Sequence, residues 1–235
     1  MKRYLIFIMA LIYGFEVSAQ DEESEKSFLK LGLTGGFGGY SFEKLEDINN
    51  EVVENLPFDA KVIDNFPDRF YFGVTALARI ANWYWAGPSY QFHSTGSRVG
   101  ARDYSGSYHF DQILSAHQLG IENEIRISKS SKPAVFIDLA GGVNFSAWKM
   151  EEILDVSGQK ETDKSDYSAI KPFVFPSVKV NYPFNKAFSV TAQAGYLFDL
   201  GGKYHLSGHN DYKSNFKIPW SGYRVSIGLE YNVIW

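Results

Sequence analysis

Tyr223-Arg224-Val225-Ser226-Ile227-Gly228-Leu229-Glu230-Tyr231-Asn232-Val233-Ile234-Trp235 closes the sequence with a strict alternation. Tyr223, Val225, Ile227, Leu229, Tyr231, Val233 and Trp235 form the apolar set; Arg224, Ser226, Gly228, Glu230 and Asn232 form the other. Successive side chains of a strand point to opposite faces. One face of this strand therefore meets something oily along its whole length, and the other accommodates charge and glycine.

The pattern recurs upstream. Phe188, Val190, Ala192, Ala194, Tyr196 and Phe198 alternate with polar residues, as do Val135, Ile137, Leu139, Val143 and Phe145, and Phe70, Phe72, Val74, Ala76, Ala78 and Ile80. Weaker segments run from Phe28 to Phe42, Tyr84 to His93, Tyr108 to Ser128 and Ala169 to Tyr182, giving eight strands. Pro172 and Pro176 lie in the last of these, and a ladder tolerates proline poorly, so its outer half is expected to be bulged or unpaired. The connections alternate in length. Glu43–Pro67, Ser94–Ser107, Lys149–Ser168 and Gly201–Ser221 are long; Ala81–Trp83, Lys129–Pro133 and Pro183–Ala187 are short. An eight-stranded antiparallel up-and-down transmembrane barrel accounts for this, with short turns on one side and long loops on the other. Within the first long loop, Leu45, Ile48, Val52, Val53 and Leu56 fall at helical spacing and predict one short amphipathic helix.

Which set points inward decides the medium. The residues opposite the apolar stripes include Lys30, Arg69, Arg79, Glu122, Glu124, Arg126, Asp138, Lys179, Asp199, Arg224 and Glu230, a nearly balanced set of bases and acids. Eight strands leave a lumen just wide enough for side chains to fill. Charges enclosed there must be paired, so the expectation is a filled, charge-paired lumen with an apolar exterior against lipid. Aromatic side chains then find a place at the headgroup levels. Trp83, Tyr84, Trp85, Tyr182 and Trp235 are assigned to the girdle beside the short turns, and Trp148, Trp220 and Tyr223 to the outer one.

The N-terminus fits an exported chain. Lys2 and Arg3 precede an apolar run, Tyr4 to Tyr13, and Val17-Ser18-Ala19 offers a cleavage site, so residues 1–19 read as a signal peptide. Residues 20–26 form an acidic leader and 27–235 the barrel domain. The run is too short for a helical anchor. The 235 residues contain no cysteine, which excludes a disulfide scaffold, a thiolate metal site and a lipoprotein. With 27 acids against 23 bases there is no basic excess to suggest nucleic acid as a partner.

The terminal strand ending in an aromatic residue resembles the signature by which Gram-negative outer-membrane barrels are recognised by their assembly machinery. The chain length, the glycine-rich Gly32-Leu33-Thr34-Gly35-Gly36-Phe37-Gly38-Gly39 and Gln20 after the cleavage site are similar to the small outer-membrane β-barrel (PorT-like) domain proteins of Bacteroidota. That resemblance implies residence in the outer membrane without implying one activity. It brings as partners outer-membrane lipid and lipopolysaccharide, the assembly machinery, and a surface or secretion-complex protein.

Candidate chemistry is sparse. His205-Leu206-Ser207 resembles the H-x-S pair of the outer-membrane lipid A deacylases, and residues two apart on a strand share a face. Gly208 stands where that family has Asn, however, and neither Asp199 nor Asp211 occupies the place of its orienting acid. His93, His109 and His117 lack metal-ligand spacing and read as rim residues. Glu161, Asp163 and Asp166 read as solvated charges rather than a calcium loop. The glycine-rich run is followed by no lysine or helix start of the kind a phosphate loop needs, and glycines in barrel strands mark curvature or close backbone approach. The expectation is thus a barrel without catalytic, metal or cofactor site, acting in surface interaction or envelope structure. A narrow or gated channel for small solutes stands second and a lipid A hydrolase third.

Overall fold

Eight strands follow the alternation and close on one another. The computed structural model describes residues 27–130, 132–207 and 209–234; the leader and acidic stretch, residues 1–26, and Trp235 lie outside the described residues, as does the side chain of Asp211. In chain order the elements are β1 (Ser27–Gly38), α1 (Glu43–Asn55), β2 (Lys61–Asn65), β3 (Arg69–Ala81), β4 (Tyr84–Arg102), β5 (Gly106–Arg126), β6 (Ala134–Val156), β7 (Gln159–Pro183), β8 (Phe188–Asp199), β9 (Lys203–Leu206), β10 (His209–Lys217) and β11 (Gly222–Ile234). Antiparallel ladders join β1 to β3, then β3 through β7 in sequence, β7 to β8, β8 to β11, and β11 back to β1. This is an eight-stranded closed ring, and closure leaves these strands no free edge at its level.

The short connections are as expected, and the helix covers the predicted apolar positions from Leu45 to Val53, with Leu56 just past its end. Two of the long ones are not loops. β4 and β5 stay paired from Tyr84–Ile125 up to Arg102–Ser107, and β6 and β7 from Ala134–Asn181 up to Val156–Gln159. Each pair is a tall hairpin that rises beyond the rest of the ring and ends in a tight turn. Above Ser94 the polarity of the two faces inverts: Val99, Tyr108, Phe110, Leu114 and Trp148 are buried, while Arg98 and Lys149 face out. This is the pattern of a sheet standing in water, with its apolar side against a core.

Two apolar clusters fill the space between the hairpins and the loops. One gathers Phe42, Leu45, Phe66, Leu114, Trp148, Phe173, Phe175, Leu197, Tyr204, Ile218 and Trp220 over the outer mouth. The other packs the apolar stripe of α1, Ile48, Val52 and Val53, with Leu56 just past its end, on Val99, Tyr108 and Phe110. β7 runs through both prolines fully paired with β6, with Pro172 opposite Val143 and Pro176 opposite Leu139. The break falls on the other side, where the β7–β8 ladder skips from Val174–Phe198 to Ser177–Gly195. Proline lacks the N–H that this side of the ladder requires. In β1, a Cβ on Gly36 would run into the carbonyl oxygen of Val225, so only glycine permits that approach of β1 to β11.

Candidate functional site

The two faces of the ring are chemically opposite. Phe37, Phe70, Val74, Leu119, Ile137, Ile170, Val178, Phe198, Val225, Ile227 and Leu229 all lie exposed on the outside. From Tyr223 to Val233 the outward positions of β11 span roughly 33 Å along the strand, or about 25 Å along the axis of a tilted barrel, the height of a hydrocarbon band. No Lys, Arg, Asp or Glu faces outward within this belt among the described residues. Its polar members are few. Asn123 donates from Nδ2 to the Leu139 carbonyl (3.1 Å) and accepts from the Tyr84 hydroxyl (2.7 Å), which satisfies it locally.

The inner face holds an ionic cluster. Lys179 Nζ lies 2.5 Å from Glu124, 2.7 Å from Glu122, and 3.7 Å from both Asp138 and Glu230. Lys30 joins from the other side of the lumen, 2.7 Å from Glu124. All six side chains are buried. Neutral donors complete the set: Gln193 Nε2 donates to Asp138 (2.6 Å) and Asn181 Nδ2 to Glu230 (2.6 Å). Trp85 and Phe136 close the inner end, their rings 4.5 and 4.4 Å from the Lys30 ammonium.

A second ionic pair stands higher. Lys171 Nζ lies 3.0 Å from Asp199, donates to the Ile218 carbonyl at 2.6 Å, and sits over the Tyr204 ring. Asp199 in turn accepts from the backbone N–H groups of Gly201 and Trp220, both at 2.9 Å. The pair thereby pins the last outer connection inside the barrel mouth. Lys171 is missing from the lumen set expected from sequence, although it alternates with Ile170 and Pro172 and its parity alone points it inward.

Of the eleven expected lumen charges, Lys30, Glu122, Glu124, Asp138, Lys179, Asp199, Arg224 and Glu230 face inward and are buried. The other three are corrected. Arg69 sits at the outer rim, 4.0 Å from Asp64. Arg79 and Arg126 belong to the opposite rim, bound to Asn82 and to the Ser128 and Ser130 carbonyls. Each lies at a strand end, where the inward direction opens to solvent. Among the described residues Arg224 has no acid partner: its guanidinium donates to the carbonyls of Gly39, Trp220 and Tyr223, each at 3.1 Å, with Tyr40 and Tyr71 beside it.

The girdle needs a similar revision. Trp83, Tyr182 and Tyr223 are exposed at the belt edges, with Tyr84 half-buried beside them. Trp85, Trp148 and Trp220 are internal. Trp85 has the opposite parity to Tyr84. Trp148 continues the inward series Asn144, Ser146, and its Nε1 donates to Gln112 at 3.0 Å. Trp220 plugs the mouth between Tyr40, Phe42 and His93.

The histidines separate. His93 is fully buried in the lumen against Tyr71, not at the rim, while His117 faces outward at the top of the belt and His109 lies in the upper wall. Ser207 falls in the turn after β9, so it does not share a strand face with His205, and its N–H bonds the Asp166 carbonyl. Asp166 faces away from Glu161 and Asp163, and among the described residues no cluster of His, Asp or Glu is arranged to hold a metal. Above the belt, the Ser105 hydroxyl and N–H both bond Asp103 and hold its carboxyl below the usual range; burial pushes the Tyr108 phenol up.

The chain matches no protein-family model and no curated protein. Solved structures do resemble it. The attachment invasion locus protein Ail of Yersinia pestis aligns at 12% identity and a TM-score of 0.37, covering 88% of this chain and 100% of that one. Neisserial surface protein A aligns at 13% and 0.39, covering 90% and 100%, and a major outer membrane protein of Thermus thermophilus at 12% and 0.49, covering 87% and 99%. At such identity and overlap the likeness carries no inference about function.

Proposed function

We propose that this chain is an outer-membrane β-barrel protein with a filled lumen, acting at the cell surface in adhesion, recognition or envelope structure through its two tall hairpins and the α1 cap. The observation that carries this reading is the pairing of an uncharged apolar belt outside with buried, mutually bonded charges inside. In water the two faces would be reversed, because a continuous band of exposed apolar side chains would favour aggregation and the enclosed ions would have no advantage over an apolar core. The kinship with PorT-like proteins belongs to this reading and rests on the glycine-rich β1 and the terminal strand.

A solute path is disfavoured by the same geometry. Glu124, Asp138, Asn144, Lys171, Arg224 and Trp220, spread over the height of the lumen, are all at 0% exposure, whereas a water column would wet its lining. Single-channel recording on the purified protein in planar bilayers tests this. Silence at all voltages is expected. Stable unitary steps that survive removal of contaminants, and that change with Lys179→Met, would establish a channel instead.

A further inference from the structure

On β4 to β7 the wall of the barrel continues past the belt, so the boundary between hydrocarbon and headgroup must fall on regular sheet rather than on loops. The register lays out that boundary row by row. Phe92, His117, Phe145 and Ile170 form the last row in which aromatic or large aliphatic side chains predominate. Ser94, Ser115, Ala147 and Ser168 form the next, and Gly96, Ile113, Lys149 and Asp166 the one above. Higher still, the charges neutralise one another: Arg98 bonds Asp111 at 2.6 Å and Lys164 bonds Glu151 at 2.7 Å.

His117 is the exception within the belt. Its ring faces outward between Phe92 and Leu119, with Nδ1 2.9 Å from the Tyr90 hydroxyl and the Phe92 ring 4.9 Å away. Tyr90 occupies Nδ1, so Nε2 is the nitrogen through which this exposed ring can bond an outside group. An imidazole there is costly against acyl chains and favourable against an anion at the headgroup level. Lys149, on the neighbouring strand two rows higher, is exposed and among the described residues pairs with no carboxylate, although Asp166 is its partner in the register. Ser115 and Ala147 occupy the row between them, so the surface there is shallow and carries one hydroxyl; the Ser94 hydroxyl beside them is already spent on the Leu114 carbonyl at 3.1 Å.

We propose that His117, Lys149 and the hydroxyl of Ser115 form a seat for the phosphate of an outer-leaflet lipid, whose acyl chains lie down the wall over Leu119, Val143 and Ile121. The proposal rests on the membrane reading above. The occupant is a lipid phosphate rather than a free one, because the seat opens onto the belt and its lower half, Phe92, Phe145 and Leu119, matches chains and not water.

The test uses the full-length protein in nanodiscs of phosphatidylcholine alone and of phosphatidylcholine doped with dioleoylphosphatidic acid, followed by native mass spectrometry of lipids retained on the released barrel. Wild-type protein should retain the phosphatidic acid. The His117→Gln/Lys149→Gln variant should lose about tenfold of it, the size of one charge-assisted hydrogen bond, with Arg102→Gln as a control that retains it. Heat-modifiable mobility reports that each variant is folded. Equal retention by wild type and double variant, or displacement of the lipid by inorganic phosphate at equal concentration, would overturn the seat. Failure of the wild-type protein to enter either disc would instead overturn the membrane reading.

Discussion

Lys30 on β1 and Glu124 on β5, three strands apart around the ring, meet at 2.7 Å across the lumen. One pair of side chains therefore reaches nearly from wall to wall. Lys179 completes the closure from β7, so three strands with no backbone pairing to one another are tied at one level. Such ties act on the barrel as a whole: they resist ovalisation of a ring whose ladders only join neighbours.

Replacing Lys179 with Met should destabilise the barrel by about 3–5 kcal/mol, since four carboxylates would then share Lys30 alone in a sealed space. Urea titration in detergent micelles, read by heat-modifiable mobility, should show the midpoint falling. Glu230→Gln should cost less, because Asn181 and Lys179 keep a neutral acceptor to bond. Equal effects of the two would mean that charge is not what the cluster provides.

Arg224→Leu removes the donor to three carbonyls, and each buried acceptor left unmet costs about 1–3 kcal/mol. Because those carbonyls belong to Gly39, Trp220 and Tyr223, the loss should appear at the barrel mouth. Limited proteolysis is expected to cut the variant near residues 39–42 and 218–221 while the transmembrane ladders stay protected. Uniform loss of protection would assign Arg224 a role in the whole barrel instead.

On the outer face, Ile227→Lys should cost about 2–4 kcal/mol near the bilayer midplane, falling to about 0–1 at the edge for Tyr223→Lys. Folding into vesicles across a urea series measures both. A protein with this face against water would show neither loss.

The Asp103 turn offers a pH test outside the membrane. Its carboxyl accepts from the Ser105 hydroxyl and from the N–H groups of Ser105 and Gly106, the first of these being the main cause of its lowered pKa. A carboxyl whose folded pKa is depressed contributes above its unfolded pKa and ceases to contribute as pH falls through the folded value. Protection factors at Ser105 and Gly106, taken against the unstructured-peptide exchange rate at each pH, should thus be steady at neutral pH and fall below the ordinary carboxylate range. Asp103→Asn should retain a turn without that dependence.

The fold is most legible in the sequence where one face meets a uniform medium. The phase of Tyr223, Val225, Ile227 and Leu229 locates β11 and sets the direction of Arg224 and Glu230. Legibility weakens where the medium changes along a single strand. β4 is apolar outward up to Phe92, but from Thr95 to Val99 its inward residues are Thr95, Ser97 and Val99 while Arg98 faces out, so its upper half reads as a loop. Trp148 is misplaced for the same reason: a tryptophan near a strand end suggests a girdle, but its parity with Ser146 turns it toward Gln112. Arg224 is expected to meet an acid, and composition cannot show that backbone carbonyls from two loops converge on it. Lys171 is legible by parity and is obscured only by the prolines around it.

The orientation of β11 is the central claim, and nitroxide scanning of Arg224 to Val233 in lipid vesicles tests it most directly. Labels at 225, 227, 229, 231 and 233 should collide freely with oxygen and hardly with a water-soluble nickel chelate, while those at 224, 226, 228 and 230 should be shielded from both. Access of the nickel chelate to 225, 227 and 229, with oxygen excluded there, would place these side chains outside hydrocarbon and contradict the account.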